Sequence, residues 1–454
     1  MRHKARNRLT EGPVTKTLIT LALPMMVGII GMVMFNLVDT YFVGRLGKLH
    51  LAAMSFTFPV VMVLQSIALG LGIGASAVIA RAIGEGDHHK VQRLTTDSLM
   101  LSLIIVVVFV VIGLATIEPL FRLLGAGEEL LPLIKSYMRI WYIGVAFVVI
   151  PMVGNSAIRA TGDTVTPSII MLIAIAVNLG LDPLLIFGIG PFPRLELAGA
   201  AIATVIARAT TLTISLLVLY FREKMIVLKM PSLKEGIDSW KKILYVALPA
   251  GGTNIIIPLT IGVITRFVSA YGPAAVAGFG VGSRIEMFAL TPIYALASVL
   301  IPFVGQNWGA GKTGRVRQGI RRSWTFSILW GALFFIIILF AARPIAGIFN
   351  RDPEVTSSIR IYLLVVSISY GMQGIFMLSS AAFNALNKPL NAAFLALVRM
   401  FALYLPLALF GSYLMGLKGL FAGASIANLV TGGLAFWWLY SLNNRSGKLK
   451  SMTN

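Results

Sequence analysis

Long apolar blocks alternate with short polar breaks along this chain. Leu99 to Leu114, Ser323 to Ala342 and Ile361 to Phe383 contain no charged residue. A helix needs about 20 apolar residues to cross the hydrocarbon core of a bilayer, and blocks near that size recur throughout. Reading blocks against breaks predicts helices near 17–42, 52–80, 95–117, 133–158, 166–189 and 198–221 in the first half. The second half gives 243–270, 274–303, 321–342, 357–382, 389–413 and 418–441. A polar segment, Arg222 to Lys242, separates the halves and is the only long loop. The expected fold is an all-α polytopic membrane protein, with twelve transmembrane helices in two six-helix lobes. The first lobe covers 1–221, a cytoplasmic linker 222–242, the second lobe 243–441 and a cytoplasmic tail 442–454.

The two halves repeat one another. A shift of 225 positions lays Pro24 on Pro249, Gly47 on Gly272, Gly84 to Gly86 on Gly309 to Gly311, and Pro119 on Pro344. It also lays Arg159 to Asp163 on Asn384 to Lys388, and after a two-residue slip Phe187-Gly188 falls on Phe410-Gly411. Six helices per half give both halves the same orientation, so the expected symmetry axis runs along the membrane normal. Parallel repeats of this kind are a transporter architecture.

Composition agrees with a membrane protein. Only 12% of the 454 residues are charged and 57% are hydrophobic, too little charge to cover soluble domains of this size. The net charge of +21 could suggest a nucleic-acid partner, but the basic residues sit in breaks between apolar blocks and not on one solvated face. With the N-terminus inside, 24 of the 38 Lys and Arg fall on the cytoplasmic side and 10 outside; the other four, Arg208, Arg266, Arg284 and Arg399, lie within predicted spans. The positive-inside rule therefore predicts both termini in the cytoplasm. There is no cysteine, hence no disulfide framework or thiol chemistry, and no cleavable leader is expected because the first apolar stretch runs too long.

Ionisable groups in hydrocarbon are costly and generally functional. Asp39 lies near the outer end of helix 1, roughly 21 steps or about 32 Å along it from Leu18. Asn178 and Asp182 share a face of helix 5, and Thr204 enters helix 6 from the same side at comparable depth. Two carboxylates, an amide and a hydroxyl at one level suit a proton or a small cation. The structural alternatives are an Asp39 carboxylate at the headgroup interface and an Asp182 that merely serves the backbone broken by Pro183. The repeat weighs for function: Ile264, Phe401 and Leu405 stand where the second half would duplicate Asp39, Asn178 and Asp182. The embedded arginines are weaker signals. Arg266 is expected to snorkel outward, Arg208 and Arg399 to reach interior carbonyls or acids, and Arg284 does not face Glu286. Glu286 is the only acid well inside the second half and a candidate for a coupling role.

Enzyme signatures are missing. His3, His50, His88 and His89 are terminal or in loops, so no intramembrane histidine base or metal set is available. The glycines of GLGIG, 70–74, lack a following Lys-Ser/Thr and read as close helix packing instead of a phosphate loop. No cofactor is expected, and transport would run on an ion gradient.

Four stretches together resemble the MATE (multidrug and toxic compound extrusion) family from Leu18 to about Tyr440. They are LALPMMVG with FNLVDTYFVGRLG; NLGLDPLLIFG with AGAAIAT; SRIEMFALTPIYALASVLIPFVGQNWGAGK; and the loops RATGDTVTP and NALNKPLNA. The resemblance implies a V-shaped antiporter of two six-helix lobes that expels amphipathic, often cationic, drugs and dyes in exchange for H⁺ or Na⁺. The acid pair in helices 1 and 5 is most similar to the DinF-like branch, which implies an ion site of Asp39, Asn178, Asp182 and Thr204. The same resemblance implies a helix-1 hinge at Pro24. Most acids of the NorM-like second lobe are absent here, so a sodium site in that lobe is in doubt.

The expected mechanism is that protonation from outside discharges the Asp39–Asp182 pair, lets helix 1 rearrange at Pro24 with Pro183 as a second hinge, and releases drug outward. Met32, Met34, Phe35, Tyr137 and Met171 are candidate walls of an apolar substrate cavity, core packing being the alternative for each. The expected setting is the cell inner membrane, with the chain as a monomer in the lipid bilayer and no nucleic-acid partner. The nearest rival is a lipid-linked oligosaccharide flippase, which would line its cavity with more cations. An intramembrane enzyme would have only Asp39 and Asp182 as its acid and base. A channel would need rings of equivalent groups, and this polar cluster is asymmetric.

Overall fold

A computed structural model describes residues 8–227 and 233–451. Arg2, Lys4, Arg6 and Lys229, counted above as cytoplasmic charges, lie outside the described residues, as do the side chains of Arg8, Lys48, Arg445, Lys448 and Lys450. The described residues contain helices and no strand. In hydrocarbon each backbone polar group must be satisfied within its own segment, and runs of Leu, Ile, Val, Phe and Ala do this as helices.

The helices are α1 (Val14–Gly44), α2 (Lys48–Glu85), α3 (His88–Leu123), α4 (Leu131–Gly144), α5 (Ala146–Ala160), α6 (Val165–Phe187) and α7 (Glu196–Leu217). Then follow α8 (Leu233–Ser269), α9 (Pro273–Gly309), α10 (Thr313–Phe349), α11 (Pro353–Val366), α12 (Tyr370–Ala385), α13 (Pro389–Leu397) and α14 (Leu405–Ser451). Side chains mark several starts. Asp87 accepts from the Lys90 N–H at 2.9 Å, and Asp352 from the Glu354 N–H at 2.8 Å. The pairs α4–α5 and α11–α12 each make one crossing, and a π-helical turn, Val398–Tyr404, joins α13 to α14.

Among the described residues, eleven helical stretches are long and apolar enough to cross a membrane, and the last of them, Pro389–Leu442, has 54 residues. That is about 80 Å of helix, more than two bilayer cores. It breaks at Gly416, whose φ of 61° and ψ of −141° are not helical. The chain folds back there: a Cβ on Gly423 would lie 2.5 Å from the Ala408 nitrogen. The stretch therefore holds two crossings, which makes twelve.

The structure departs from the sequence reading in two places. Helices run further than the apolar blocks, because polar ends such as Arg81–Glu85 continue the helical hydrogen bonding past the hydrocarbon. The expected linker is helical from Leu233 onward, and Trp240 ties this start down by donating to the Asp97 carbonyl at 3.0 Å. The left-handed glycine between the last two crossings, Gly416, lies in the break between the helices expected at 389–413 and 418–441.

The chain forms two compact units. Of the described residues, one contains those within 23–251; the other contains 8–22 and 252–451. The start of α1 thus belongs to the second unit and the start of α8 to the first, so the boundaries fall inside these two helices and not in the polar segment. In the second unit, Asn307 donates to the Leu9 carbonyl at 2.9 Å and Arg315 to the Gly12 carbonyl at 2.7 Å. In the first, α8 lies directly on α2. A Cβ on Gly70 would be 2.6 Å from the Ala247 carbonyl, and one on Gly74 2.7 Å from the Ile243 carbonyl. The glycines of the GLGIG segment are packing glycines. The repeat is equally visible in the backbone: Gly162 has φ 93° and Asn387, at the 225-residue offset, has φ 60°. Both turns need the left-handed region, which glycine and asparagine tolerate best.

Candidate ion site

In the first unit, α1, α4, α6 and α7 bring together Asp39, Tyr137, Asn178, Asp182 and Arg208. Asp39 lies near the end of α1 at Gly44, and Asp182 near the end of α6 at Phe187. Both are buried, at 7% and 0% exposure. Asn178, four residues before Asp182 on one face of α6, donates its amide to Asp182 Oδ1 at 3.0 Å. The second carboxylate oxygen, Asp182 Oδ2, has no hydrogen-bond partner among the described residues, and neither does Asp39 Oδ1. Native structures rarely leave buried polar atoms unpaired, because each costs about 1–3 kcal/mol, more when charged. Two orphaned acceptors in one cluster make a place where a positive charge is stabilised.

The two aspartates lie within electrostatic reach of each other, and Tyr137, buried on α4, lies within reach of both. Arg208 on α7 acts on Asp39. It is 8% exposed, and its guanidinium stands over the Phe35 ring at 4.8 Å. Phe35 and Asp39 share a face of α1, as Thr204 and Arg208 share a face of α7. Thr204 is half-buried, one turn before the arginine.

The structure therefore brings together Asp39, Asn178 and Asp182, with Phe35 and Tyr137 beside them. Met32 and Met171 are half-buried, and Met34 is 46% exposed. Arg208 is the member that the sequence reading left outside the site. Its spacing of four from Thr204 is the signal that points to it, but an arginine in an apolar helix can equally snorkel, so spacing alone does not decide.

Both prolines lie inside continuous helices, Pro24 in α1 and Pro183 in α6. Pro24 is two residues from the boundary between units, and its carbonyl accepts from Ser168 Oγ at 2.7 Å. Each proline lacks the N–H that would hold the helix straight.

Glu286 sits in a different kind of cluster, in the second unit. Tyr362 donates its hydroxyl to Glu286 Oε2, and Gln373 its amide to Oε1 at 2.9 Å. Asn428 donates to Gln373 Oε1 at 3.2 Å and to Ser369 Oγ at 3.0 Å. Both carboxylate oxygens are occupied by donors, an arrangement that anchors a carboxylate instead of leaving it open to an incoming ion. Arg284 is exposed and takes no part.

Comparison with known proteins places this arrangement in a family. The chain is 41% identical over 436 residues to a protein of Shewanella oneidensis named FAD transporter, covering 96% of each. It is 26% identical to the multidrug export protein MepA of Staphylococcus haemolyticus, over 96% of this chain and 95% of that one. The crystal structure of the Vibrio cholerae MATE transporter VcmN in the bent form superimposes with a TM-score of 0.90 at 32% identity, over 98% of this chain and 99% of the other. The family model MatE matches twice, at residues 24–184 and 249–410, so the two matches begin 225 residues apart, as the internal repeat does. This twelve-helix, twofold-repeated membrane chain belongs to the MatE family of transporters.

Proposed function

We propose that this protein is a cation-coupled exporter of the cell inner membrane whose substrate is flavin adenine dinucleotide or a close chemical relative. The observation that carries the coupling is the pair of orphaned acceptors, Asp39 Oδ1 and Asp182 Oδ2, buried in one cluster. A cation entering there pairs with both. Discharging the pair favours one arrangement of α1 and α6 over another, and the prolines are where these helices can bend. The ion shifts that balance only by its different affinity for the two arrangements, so ion and substrate must prefer opposite ones. The positive-inside pattern puts both termini in the cytoplasm and the cluster toward the outside, where an inward-moving ion enters.

The coupling ion in this reading is H⁺. Arg208 beside Asp39 repels a metal cation, and Asn178 turns its donor, not its carbonyl oxygen, toward Asp182. The 41% identity to the Shewanella protein over nearly the whole length supports this choice of substrate. Export of amphipathic cations is the second reading, favoured by the MepA relatives.

Counterflow in proteoliposomes tests both. With an imposed ΔpH or ΔNa⁺, FAD, FMN, riboflavin and a cationic dye are offered in parallel. The proposal expects saturable FAD uptake driven by ΔpH. Dye uptake with no FAD uptake gives the second reading, and drive by ΔNa⁺ alone overturns the choice of H⁺.

A further inference from the structure

Arg208 enters the reading above only as a charge that repels a metal cation, yet it is more than nine-tenths buried, and no ion pair or hydrogen bond joins it to a described residue. Among the described residues, its guanidinium stands over the face of Phe35. A guanidinium held within an apolar helix bundle is costly, and a ring face offsets only part of that cost. Asp39 lies within electrostatic reach of it.

The charges around the cluster can be counted. On α1 the other charged groups are Lys16, in the second unit, and Arg45, just beyond the helix end. On α4, Lys135 pairs with Glu118 of α3 at 2.5 Å, and Arg139 is exposed. On α6 there is none besides Asp182. On α7, Glu196 stands at the first turn, held by His50 of α2 at 3.1 Å and Arg194 at 3.3 Å. The remaining charges of α2, α3 and α5 belong to their ends, including Arg81, Glu85, Arg93 with Asp97, and Arg159. Among the described residues, the cluster around Asp39 and Asp182 therefore holds two carboxylates, one guanidinium and the phenol of Tyr137.

We infer that Arg208 is a built-in counter-ion that limits the site to a single exchangeable cation per transport cycle. With both aspartates ionised, the cluster carries one net negative charge; one bound H⁺ makes it neutral. A second would leave it net positive in a medium of low dielectric, where uncompensated charge is strongly disfavoured. Without the arginine, the same two carboxylates would need two cations for neutrality. Arg208 is thus a positioning residue that acts through Asp39. The inference rests on the ion-site reading above.

The test is a null-flux measurement, which reads stoichiometry independently of rate. Purified protein is placed in vesicles with the membrane potential clamped at zero, a fixed ion gradient is imposed, and the FAD ratio at which net flux vanishes is recorded. With a tenfold ion gradient, the ratio is roughly tenfold for one ion and roughly a hundredfold for two. Wild type is expected at roughly tenfold, Arg208→Gln at roughly a hundredfold, and Arg208→Lys, which restores the charge, at roughly tenfold. A wild-type ratio near a hundredfold overturns the inference, as does an Arg208→Gln ratio unchanged from wild type. If Arg208→Gln does not fold, wild type and Arg208→Lys still decide, since a ratio near a hundredfold in either contradicts a single-ion site. No ion-driven gradient in any protein would remove the coupling reading itself, and the inference with it.

Discussion

Replacing Asp182 with asparagine should make the protein more stable and at the same time uncouple it. The substitution keeps the shape of the side chain, so the bond from Asn178 at 3.0 Å can be retained on the remaining carbonyl oxygen. It turns the orphaned Oδ2 into an NH₂ donor and removes a buried charge from beside Asp39. An unpaired buried acceptor costs about 1–3 kcal/mol, and replacing buried charged groups by neutral ones of like volume is often stabilising to a similar degree. A gain of about 1–3 kcal/mol corresponds to a rise in Tm of roughly 2–12 °C for a unit of 150–250 residues. Thermal unfolding of wild type and Asp182→Asn in the same detergent measures the shift. Null-flux assays in vesicles measure the coupling, which should collapse from a roughly tenfold FAD ratio under a tenfold ion gradient to unity. Such a trade of stability against activity is what a strained functional site predicts. A lower Tm would show that the carboxylate is structural, and an undiminished ion-driven ratio would show that the coupling ion binds elsewhere.

Other parts of the structure give further expectations. Gly70→Val should lower Tm in detergent by an amount equivalent to about 1–3 kcal/mol, because its Cβ would lie 2.6 Å from α8 backbone that cannot rotate away. Gly252→Ala, with nothing within 4 Å of its Cβ, is the matched control and should not lower it. Glu286→Gln should leave the null-flux ratio unchanged while lowering Tm, because the bonds from Tyr362 and Gln373 lose their charge; a lost ratio would instead make Glu286 part of the coupling. Asp163, in the loop between α5 and α6, is the group to follow in acid. Burial alone would raise its carboxyl, but the Thr166 N–H at 3.0 Å, the Thr166 hydroxyl at 2.6 Å and Arg222 outweigh this and hold it below its ordinary value of 3.8. A depressed folded value means that its contribution is present above the unfolded value and is lost as pH falls through the folded one. Unfolding profiles below about pH 4 should therefore flatten in Asp163→Asn relative to wild type.

Most of the architecture can be read from hydropathy, because a bilayer permits only helices and their length is set by its thickness. The repeat was legible for a related reason: glycines and prolines punctuate a membrane chain, and Gly162 and Asn387 mark the same turn in both halves. Helix ends were not legible, since Arg81–Glu85 and the stretch after Leu233 are polar outside the hydrocarbon and remain helical there. Within the site, Asn178 and Asp182 were legible because they are four apart on one helix. The approach of Asp39 on α1 to Arg208 on α7 is a long-range contact that no local spacing encodes. Glu286 shows the converse limit. An embedded acid stands out in the sequence, but only Tyr362 and Gln373, each more than seventy positions away, reveal that its oxygens are already occupied.

Infrared difference spectroscopy of carboxyl protonation tests most directly whether Asp39 and Asp182 share the coupling ion. Spectra of the purified protein in lipid are recorded as the pH is stepped, and again on addition of Na⁺. A protonated-carboxyl band that titrates in wild type, weakens in Asp39→Asn and Asp182→Asn, and disappears in the double variant is the expected result. The same band persisting at full strength in the double variant would contradict the account.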